Sequence, residues 1–332
     1  MIKILAVNYG GLGDEILFLP ALISLKKEFP NSKITLALEP RSKSIVQLTD
    51  VIDDIIEVDI KKKGFGKYIE MFNFIAKSVF GDYDIIVSSG SSPLISVIEY
   101  LTCIPKRYGY DTGKLSKMLL TEAVPLNKNQ YAVNMYHDLV KPLTGEVTEL
   151  PQLSIKPLEK IPNSVLIHPG VSLMSKQKGC VKTITSECWA ELIDRLSAYG
   201  KKVILAGGPD DEECIREISE YSKTHGFENL YGKTKNLAEL AELISSAEKF
   251  VCSDSAPLHI AVALGVKTYP FFGPTDNEKL VPKNENIFPL KAHDTCPIKP
   301  CLWEKRLTSC EELNCLKYDI SEIARYICET DG

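Results

Sequence analysis

At 332 residues, 44% apolar and 25% charged, the chain has the composition of a soluble globular protein and the length for two ordinary domains with full cores. Its formal net charge of −5 leaves no broad basic face, which argues against nucleic acid as a partner. No apolar run approaches the roughly 20 residues of a membrane span. The stretch MIKILAVNYGG enters a strand and a glycine turn directly rather than a signal peptide, so a cytoplasmic protein is expected. Its ten cysteines are then expected to be thiols or metal ligands rather than disulfides.

Ile2 to Val7 reads as a short apolar strand, and Asn8-Tyr9-Gly10-Gly11-Leu12-Gly13-Asp14 as a glycine-rich turn. A helix follows from Glu15 to Phe29, with Pro20 predicting a bent or irregular first turn. Strands at Lys33 to Leu38, Ile55 to Val58 and Asp84 to Ser88 alternate with helical patterns at Ser42 to Leu48 and Lys67 to Phe80. Such alternation predicts a parallel sheet with helices on both faces. The pattern blurs between Tyr110 and Leu150, where a helix over Gln130 to Leu143 is read. Pro151, Pro157 and Pro162 mark a linker. Beyond it come a strand at Val165 to His168, a long polar loop, a helix at Ser186 to Tyr199 and a strand at Val203 to Ala206. Helices at Asp210 to Ser222 and Leu237 to Ser246 follow, and after an irregular cysteine-rich stretch a last helix spans Ile320 to Glu329. The whole reads as two doubly wound α/β domains of similar size, facing each other across a cleft.

The densest signals run from Ser253 to Asp276, SDSAPLHIAVALGVKTYPFFGPTD. An apolar β-type run, Lys249 to Cys252, breaks at Ser253-Asp254-Ser255. Pro257 stands where a helix begins, and Leu258 to Leu264 supplies its apolar face. Gly265 ends the helix, a strand follows from Val266 to Phe272, and Gly273-Pro274 turns the chain. The open N–H groups and positive dipole end of such a helix suit an anion, phosphate above all. An ordinary capped helix between buried strands fits the same pattern, but His259 in the first turn beside Asp254 favours function.

Other candidates sit at strand ends. Asp14 closes the first glycine turn, where a carboxylate serves either as a general base or as a helix N-cap. His168-Pro169-Gly170-Val171-Ser172 ends a strand, and Lys176, Lys178 and Lys182 crowd the next loop, a clamp for a diphosphate or a solvated basic loop. Gly207-Gly208-Pro209-Asp210-Asp211-Glu212 places carboxylates where they can hold ribose hydroxyls or cap a helix. Two decoys stand nearby. Gly11-Leu12-Gly13 with Glu39 imitates a dinucleotide fingerprint, but position 16 is Ile rather than the third Gly. Gly232-Lys233-Thr234 imitates a P-loop, but position 227 is Phe.

Taken in order, GGLGD, the HPG…S…K loop, GGPDDE and DSAPLHIAVALGV…FFGPTD resemble the motifs of glycosyltransferase family 9, the heptosyltransferase family that builds the lipopolysaccharide core. The resemblance spans nearly the whole chain. It implies an α/β GT-B fold with an N-terminal acceptor domain over residues 1–155 and a C-terminal nucleotide-sugar donor domain over 163–316. A C-terminal helix within 317–332 is then expected to pack back on the first domain. It also implies inverting transfer of a sugar, typically heptose from ADP-heptose, to a hydroxyl of a lipopolysaccharide-core or other acceptor, with no cofactor or metal needed for catalysis.

Carried over by residue, Asp14 falls on the family's base and Gly11 and Gly13 on its acceptor-side turn. Lys182 falls on the donor-phosphate lysine of K-x-W-P-x-E-x-W, although Ile184 and Thr185 stand where that pattern has Trp-Pro. Ser172 matches a phosphate-loop hydroxyl, and Asp254, Ser255, Ala256 and His259 fall on a D-[ST]-x-x-x-H donor motif whose backbone amides meet the diphosphate. Glu212, with Asp211 close behind, is assigned to the ribose, and Thr234 to the vicinity of the base. Lys182 and the helix start near Ser255 would stabilise the departing diphosphate, and closure of the domains would exclude water. A nucleotide-sugar epimerase on the same fold and a non-catalytic nucleotide-sugar-binding protein are the alternatives, and Asp14 favours transfer.

Two further features lie outside that core. Cys296, Cys301, Cys310 and Cys315, spaced C-x4-C-x8-C-x4-C, form a candidate structural zinc or iron site, more loosely spaced than the usual pairs. Lys61, Lys62, Lys63 and Lys67 surround Phe65 after the third strand. That loop is either plainly solvated or a peripheral contact with an anionic membrane.

Overall fold

The computed structural model describes residues 1–145, 151–172, 175, 177, 179–292, 296–302, 310 and 312–330. It divides into two compact units, Met1–Ser154 and Ile155–Gly332, a boundary inside the proline-marked linker.

The first unit is built on a six-stranded parallel sheet in the order β3-β2-β1-β4-β5-β6. Its strands are β1 (Lys3–Val7), β2 (Lys33–Leu38), β3 (Asp54–Glu57), β4 (Ile85–Ser88), β5 (Lys106–Tyr110) and β6 (Glu122–Val124). β1 lies at the centre, with Leu5 paired to Thr35 on one side and Ile86 on the other. Covering both faces requires apolar residues in succession, and Ile4, Leu5, Ala6 and Val7 are all buried. The crossovers include α1 (Leu12–Glu28), α2 (Phe65–Phe80), α3 (Pro93–Leu101) and α4 (Lys114–Leu119), and α5 (Ala132–Asp138) packs on α1. α1 begins at Leu12 rather than Glu15 and runs unbroken through Pro20, contrary to the expected irregular first turn.

The second unit carries five parallel strands in the order β11-β10-β7-β8-β9. They are β7 (Ile161–His168), β8 (Lys202–Leu205), β9 (Phe227–Asn229), β10 (Ala247–Ser253) and β11 (Lys267–Phe271). Its principal helices are α6 (Ser186–Ala198), α7 (Glu212–Tyr221), α8 (Leu237–Ser246), α9 (Ala256–Ala263) and α10 (Ile320–Glu329). Trp189 of α6 is fully buried and meets the Phe271 ring edge-on at 4.9 Å. Among the described residues no helix is long and apolar enough to cross a membrane.

The final helix completes the core of the second unit. Asp319 caps α10 by accepting from the amides of Ser321 and Glu322. Its apolar face then places Ile320, Ile323, Ala324 and Ile327 in one core with Trp189, Leu192 and Leu196 of α6. Lys249 of β10 donates its ammonium to the Ile327 carbonyl, and the Tyr269 hydroxyl lies 2.6 Å from that of Thr330. The apolar face of α10 is thus used within the second unit. Ile327→Ala is expected to lower stability by about 2–5 kcal/mol, the range for emptying a buried aliphatic site. Urea unfolding measures this, and an unchanged midpoint would mean that α10 is dispensable to that core.

Candidate functional site

Each sheet presents a polar cluster at the carboxyl ends of its strands, the edge where open α/β sheets bind ligands. In the first unit the cluster centres on Asp14, half-buried in the first turn of α1. The Gly11 N–H donates to its Oδ2 at 2.8 Å, and the Tyr136 hydroxyl of α5 donates to Oδ1 at 3.4 Å. The first contact is a helix cap; the second holds the other oxygen. Burial, and then the Asp14 charge, push the Tyr136 phenol well above its usual range, so it stays protonated as a donor.

Gly10 is the residue this turn cannot replace. A Cβ there would stand 2.3 Å from the Asp14 Cβ, whereas one at Gly11 would meet nothing closer than the Arg41 guanidinium at 3.5 Å. Gly13 lies inside α1. Next to Asp14, Glu15 is buried, and its carboxyl is raised well above the usual range by burial and then by the Asp14 charge. The Asn8 amide donates to Glu15 Oε2 at 3.2 Å, and Ser89 donates to Asn8 Oδ1 at 2.6 Å. Glu39, the decoy ribose acid, is buried in ion pairs with Arg41 and with Lys61 at 2.6 Å.

In the second unit the cluster centres on Asp254, 4% exposed, just beyond β10. Lys182 donates to Asp254 Oδ2 at 2.9 Å and the Thr275 hydroxyl at 2.7 Å. Burial pushes the carboxyl pKa up, but the Lys182 charge, the Thr275 hydrogen bond and the nearby His259 together outweigh it and leave the pKa lowered. Lys182 is itself fixed by its neighbour. The Thr183 hydroxyl donates to the Pro169 carbonyl at 2.8 Å and accepts from the Trp189 indole at 2.9 Å, while Ser253 lies 2.8 Å from both Pro169 O and Thr183 Oγ1. Three loops are thereby tied together: those after β7 and β10, and the one leading into α6.

Ile184 and Thr185, the departures from the Trp-Pro pattern, have ordinary local work. Ile184 is buried in the core, and the Thr185 side chain caps α6 by accepting from the Cys188 amide. Ser255 is the N-cap residue of α9 without a side-chain cap bond, Ala256 opens the helix, and Pro257 follows. His259 is buried one turn along.

The remaining candidates separate. Asp211, not Glu212, is the buried acid after β8: it accepts from the Gly208 amide at 2.9 Å and stands 3.7 Å from His168 Nε2. Gly170 makes room for it, since a Cβ there would fall 1.8 Å from Asp211 Oδ1. Burial lowers the His168 pKa despite Asp211, which favours the neutral ring. Glu212 is exposed in the first turn of α7, Thr234 is half-buried in the loop after β9, and Ser172 is exposed with its hydroxyl 3.0 Å from that of Ser175. Lys176 and Lys178 lie outside the described residues.

The cysteine expectation is not supported. Cys301 and Cys315 are buried, Cys296 half-buried and Cys310 exposed. Burial raises the Cys315 thiol, with smaller contributions from the other three. Among the described residues, however, no group of three or more His, Cys, Asp or Glu is arranged to hold a metal ion. Tyr136, Thr183, Thr275 and Gly10 are site residues that sequence reasoning left unassigned.

The Asp254 pair gives a pH dependence. Because its folded pKa is lowered, its contribution to stability is complete above the ordinary Asp value of about 3.9 and is lost as pH falls through the lowered value. Melting temperatures across that acid range are expected to fall less steeply in Asp254→Asn than in the wild type. Parallel curves would mean that the Lys182 pair contributes nothing to acid stability.

The chain is 28% identical over 299 residues to lipopolysaccharide heptosyltransferase 3 of Escherichia coli, covering 85% of this chain and 86% of that one. The glycosyltransferase family 9 protein of Veillonella parvula superposes with a TM-score of 0.73 at 22% identity, covering 98% of this chain and 97% of that one. The E. coli heptosyltransferase WaaC, solved with ADP-2-deoxy-2-fluoro heptose, superposes at 0.68 and 18% identity, covering 88% and 93%. These likenesses make the α/β architecture a GT-B fold. The family model for glycosyltransferase family 9 (heptosyltransferase) matches residues 75–307, a span that begins after Asp14 and contains the whole Asp254 cluster. The chain belongs to glycosyltransferase family 9, the heptosyltransferases.

Proposed function

We propose that this glycosyltransferase is an inverting enzyme that moves heptose from ADP-heptose to a hydroxyl of a lipopolysaccharide-core or related glycan acceptor. The observation that carries the reading is the buried Lys182–Asp254–Thr275 cluster at the start of α9, a cation held rigidly where the backbone amides of a helix N-terminus begin. The ligand of the WaaC structure supports ADP-heptose as the donor class.

In this reading the second unit holds the donor. Lys182 and the amides near Ser255 and Ala256 meet the diphosphate, with Ser172 beside them and His259 behind. Glu212 or Asp211 takes the ribose, and Thr234 lies by the base. The first unit holds the acceptor, with Asp14 as its base. The acceptor hydroxyl gives its proton to Asp14 as its oxygen attacks the anomeric carbon; the bond from that carbon to the diphosphate breaks, and ADP leaves with the electron pair. Lys182 and the helix N-terminus stabilise that charge in place of a catalytic metal. The hydrogen bonds from Gly11 and Tyr136 leave the Asp14 carboxylate oriented but half-exposed, which suits a base better than a plain cap.

Asp14→Asn is expected to lower turnover about 10²-fold or more with donor affinity nearly unchanged. Unchanged turnover would return Asp14 to capping and reopen the epimerase and binding-protein readings. Lys182→Ala is expected to weaken ADP binding and slow transfer together, measured by calorimetry and single-turnover kinetics. Intact ADP affinity would move the phosphate contact to Lys176 or Lys178.

The acceptor would be met at the cytoplasmic face of the membrane. Phe65 is 79% exposed at the start of α2, among Lys61, Lys62, Lys63 and Lys67. Lys61 and Lys62 also pair with Glu39 and Glu70, which reduces the charge they offer a bilayer. Flotation on anionic vesicles is expected for the wild type at low salt and is expected to be lost when the four lysines become serine. If both proteins stay unbound, the contact does not exist.

A further inference from the structure

The layer between the first sheet and helices α2 and α3 is not filled. A cavity of about 260 Å³ lies there, walled by Val7, Val58, Phe74, Ile86, Ile95 and Ile98. It is larger than the roughly 150 Å³ apolar cavity known to take benzene. Met71 also lines it, and the exposed Leu94, Ser92 and Lys67 border it toward solvent. Well-packed cores do not leave such a space without cost.

Its lining also holds the polar groups of Tyr9, Glu70 and Ser88, and Glu99 is the buried carboxyl among them. Glu99 lines the cavity and is 2% exposed, and neither carboxyl oxygen has a hydrogen-bond partner. The Ser88 hydroxyl stands beside it without reaching hydrogen-bonding geometry. Arg107, the nearest compensating charge, directs its guanidinium to the carbonyls of Leu119 and Ile104 instead. Room for the carboxyl exists because β5 carries Gly109, where a Cβ would stand 3.1 Å from Glu99 Oε1. A leucine at 99 would complete the apolar wall, whereas an unpaired buried carboxyl costs desolvation and returns nothing to the fold. Burial, opposed by Arg107 and Ser88, raises its pKa well above the usual range, so the group is a neutral acid that can both donate and accept a hydrogen bond.

We propose that this cavity is a ligand pocket for the acyl chain of an acylated sugar, the chain lying against the apolar walls and its amide or ester carbonyl hydrogen-bonded to Glu99. A neutral acid selects for that chemistry. It donates to a carbonyl oxygen, and a plain alkyl chain would leave it unpaired. The assignment rests on the first unit being the acceptor side, and it gives that acceptor a lipid portion recognised beside the turn that leads to Asp14.

Met71 is a native reporter of the pocket. With methyl-labelled methionine in the full chain, and Met71→Leu to assign the signal, its resonance is expected to shift on titration with N-octanoylglucosamine while those of Met118 and Met135 stay in place. Octyl glucoside, which lacks the carbonyl, is expected to bind about tenfold more weakly, and Glu99→Leu is expected to erase that difference. Glu99→Gln keeps a donor and an acceptor and is expected to retain binding, which separates lost recognition from lost folding. A Met71 signal that ignores N-octanoylglucosamine overturns the proposal. So does octylammonium binding more tightly than the glucosamide, which would make the site anionic, or octanamide entering where the glucosamide does not. No transfer reaction enters the readout, so failure here leaves the heptosyltransferase reading standing and is distinct from its failure.

Discussion

A carboxylate buried in a protein interior is tolerated only with a cation or several donors in contact, and Asp254 has both. That requirement organises the carboxyl edge of the second sheet. Satisfying Asp254 draws Lys182 inward, and fixing Lys182 calls for the Thr183, Pro169 and Ser253 hydrogen bonds. Trp189 then joins this polar knot to the core through its indole N–H, so the site is braced by the same side chain that fills the space against Phe271. A rigid site with a fixed charge needs no rearrangement when negative charge develops nearby, the property that makes electrostatic catalysis effective.

The first unit solves a different problem. Its Asp14 stays half-open, held by one backbone amide and one phenol rather than by a cation. Close approach between β1 and α1 is bought with Gly10, where even a methyl group would collide with Asp14. The second unit repeats the device at Gly170, which admits Asp211 against the end of β7. Each sheet edge thus carries an acid seated in a space that a missing Cβ leaves open.

Much of this was legible because the signals were local. The helix at Leu237–Ser246 and the last helix at Ile320–Glu329 have the bounds read from the sequence, and Asn236 and Asp319 cap them. Strand Lys33–Leu38 is equally plain, an apolar run between a turn and Glu39-Pro40. α3 was missed although Ser92-Pro93 is a helix start, because its residues are apolar on most sides and read as no single face. β5, KRYGY, and β9, FEN, were missed because short strands with charged or exposed ends carry little alternation. Within the site, Lys182, Asp254 and His259 stand in recognisable motifs. Tyr136 reaches Asp14 across 122 residues of sequence, and no local pattern announces a contact of that range. Glu99 escaped notice for a related reason: a lone carboxylate in a helix reads as surface until its neighbours are known.

The strand order also bears on how the chain is made. β10 lies between β7 and β11 and pairs along the length of β7 although some 80 residues separate them, as in the Val165–Lys249 pair. The core of the second unit is further completed by Ile323 and Ile327. Between the unit boundary at Ser154 and the end of α10 at Glu329 lie 329 − 154 = 175 residues. At ribosomal speeds of about 5–20 residues per second, their synthesis takes roughly 10–35 s. For the part of that interval before β10 is made, β7 and β8 exist as an apolar nascent segment with one side of β7 unpaired, while the first unit already has every strand it needs. The second unit is therefore the one whose sheet stays incomplete for longer during translation.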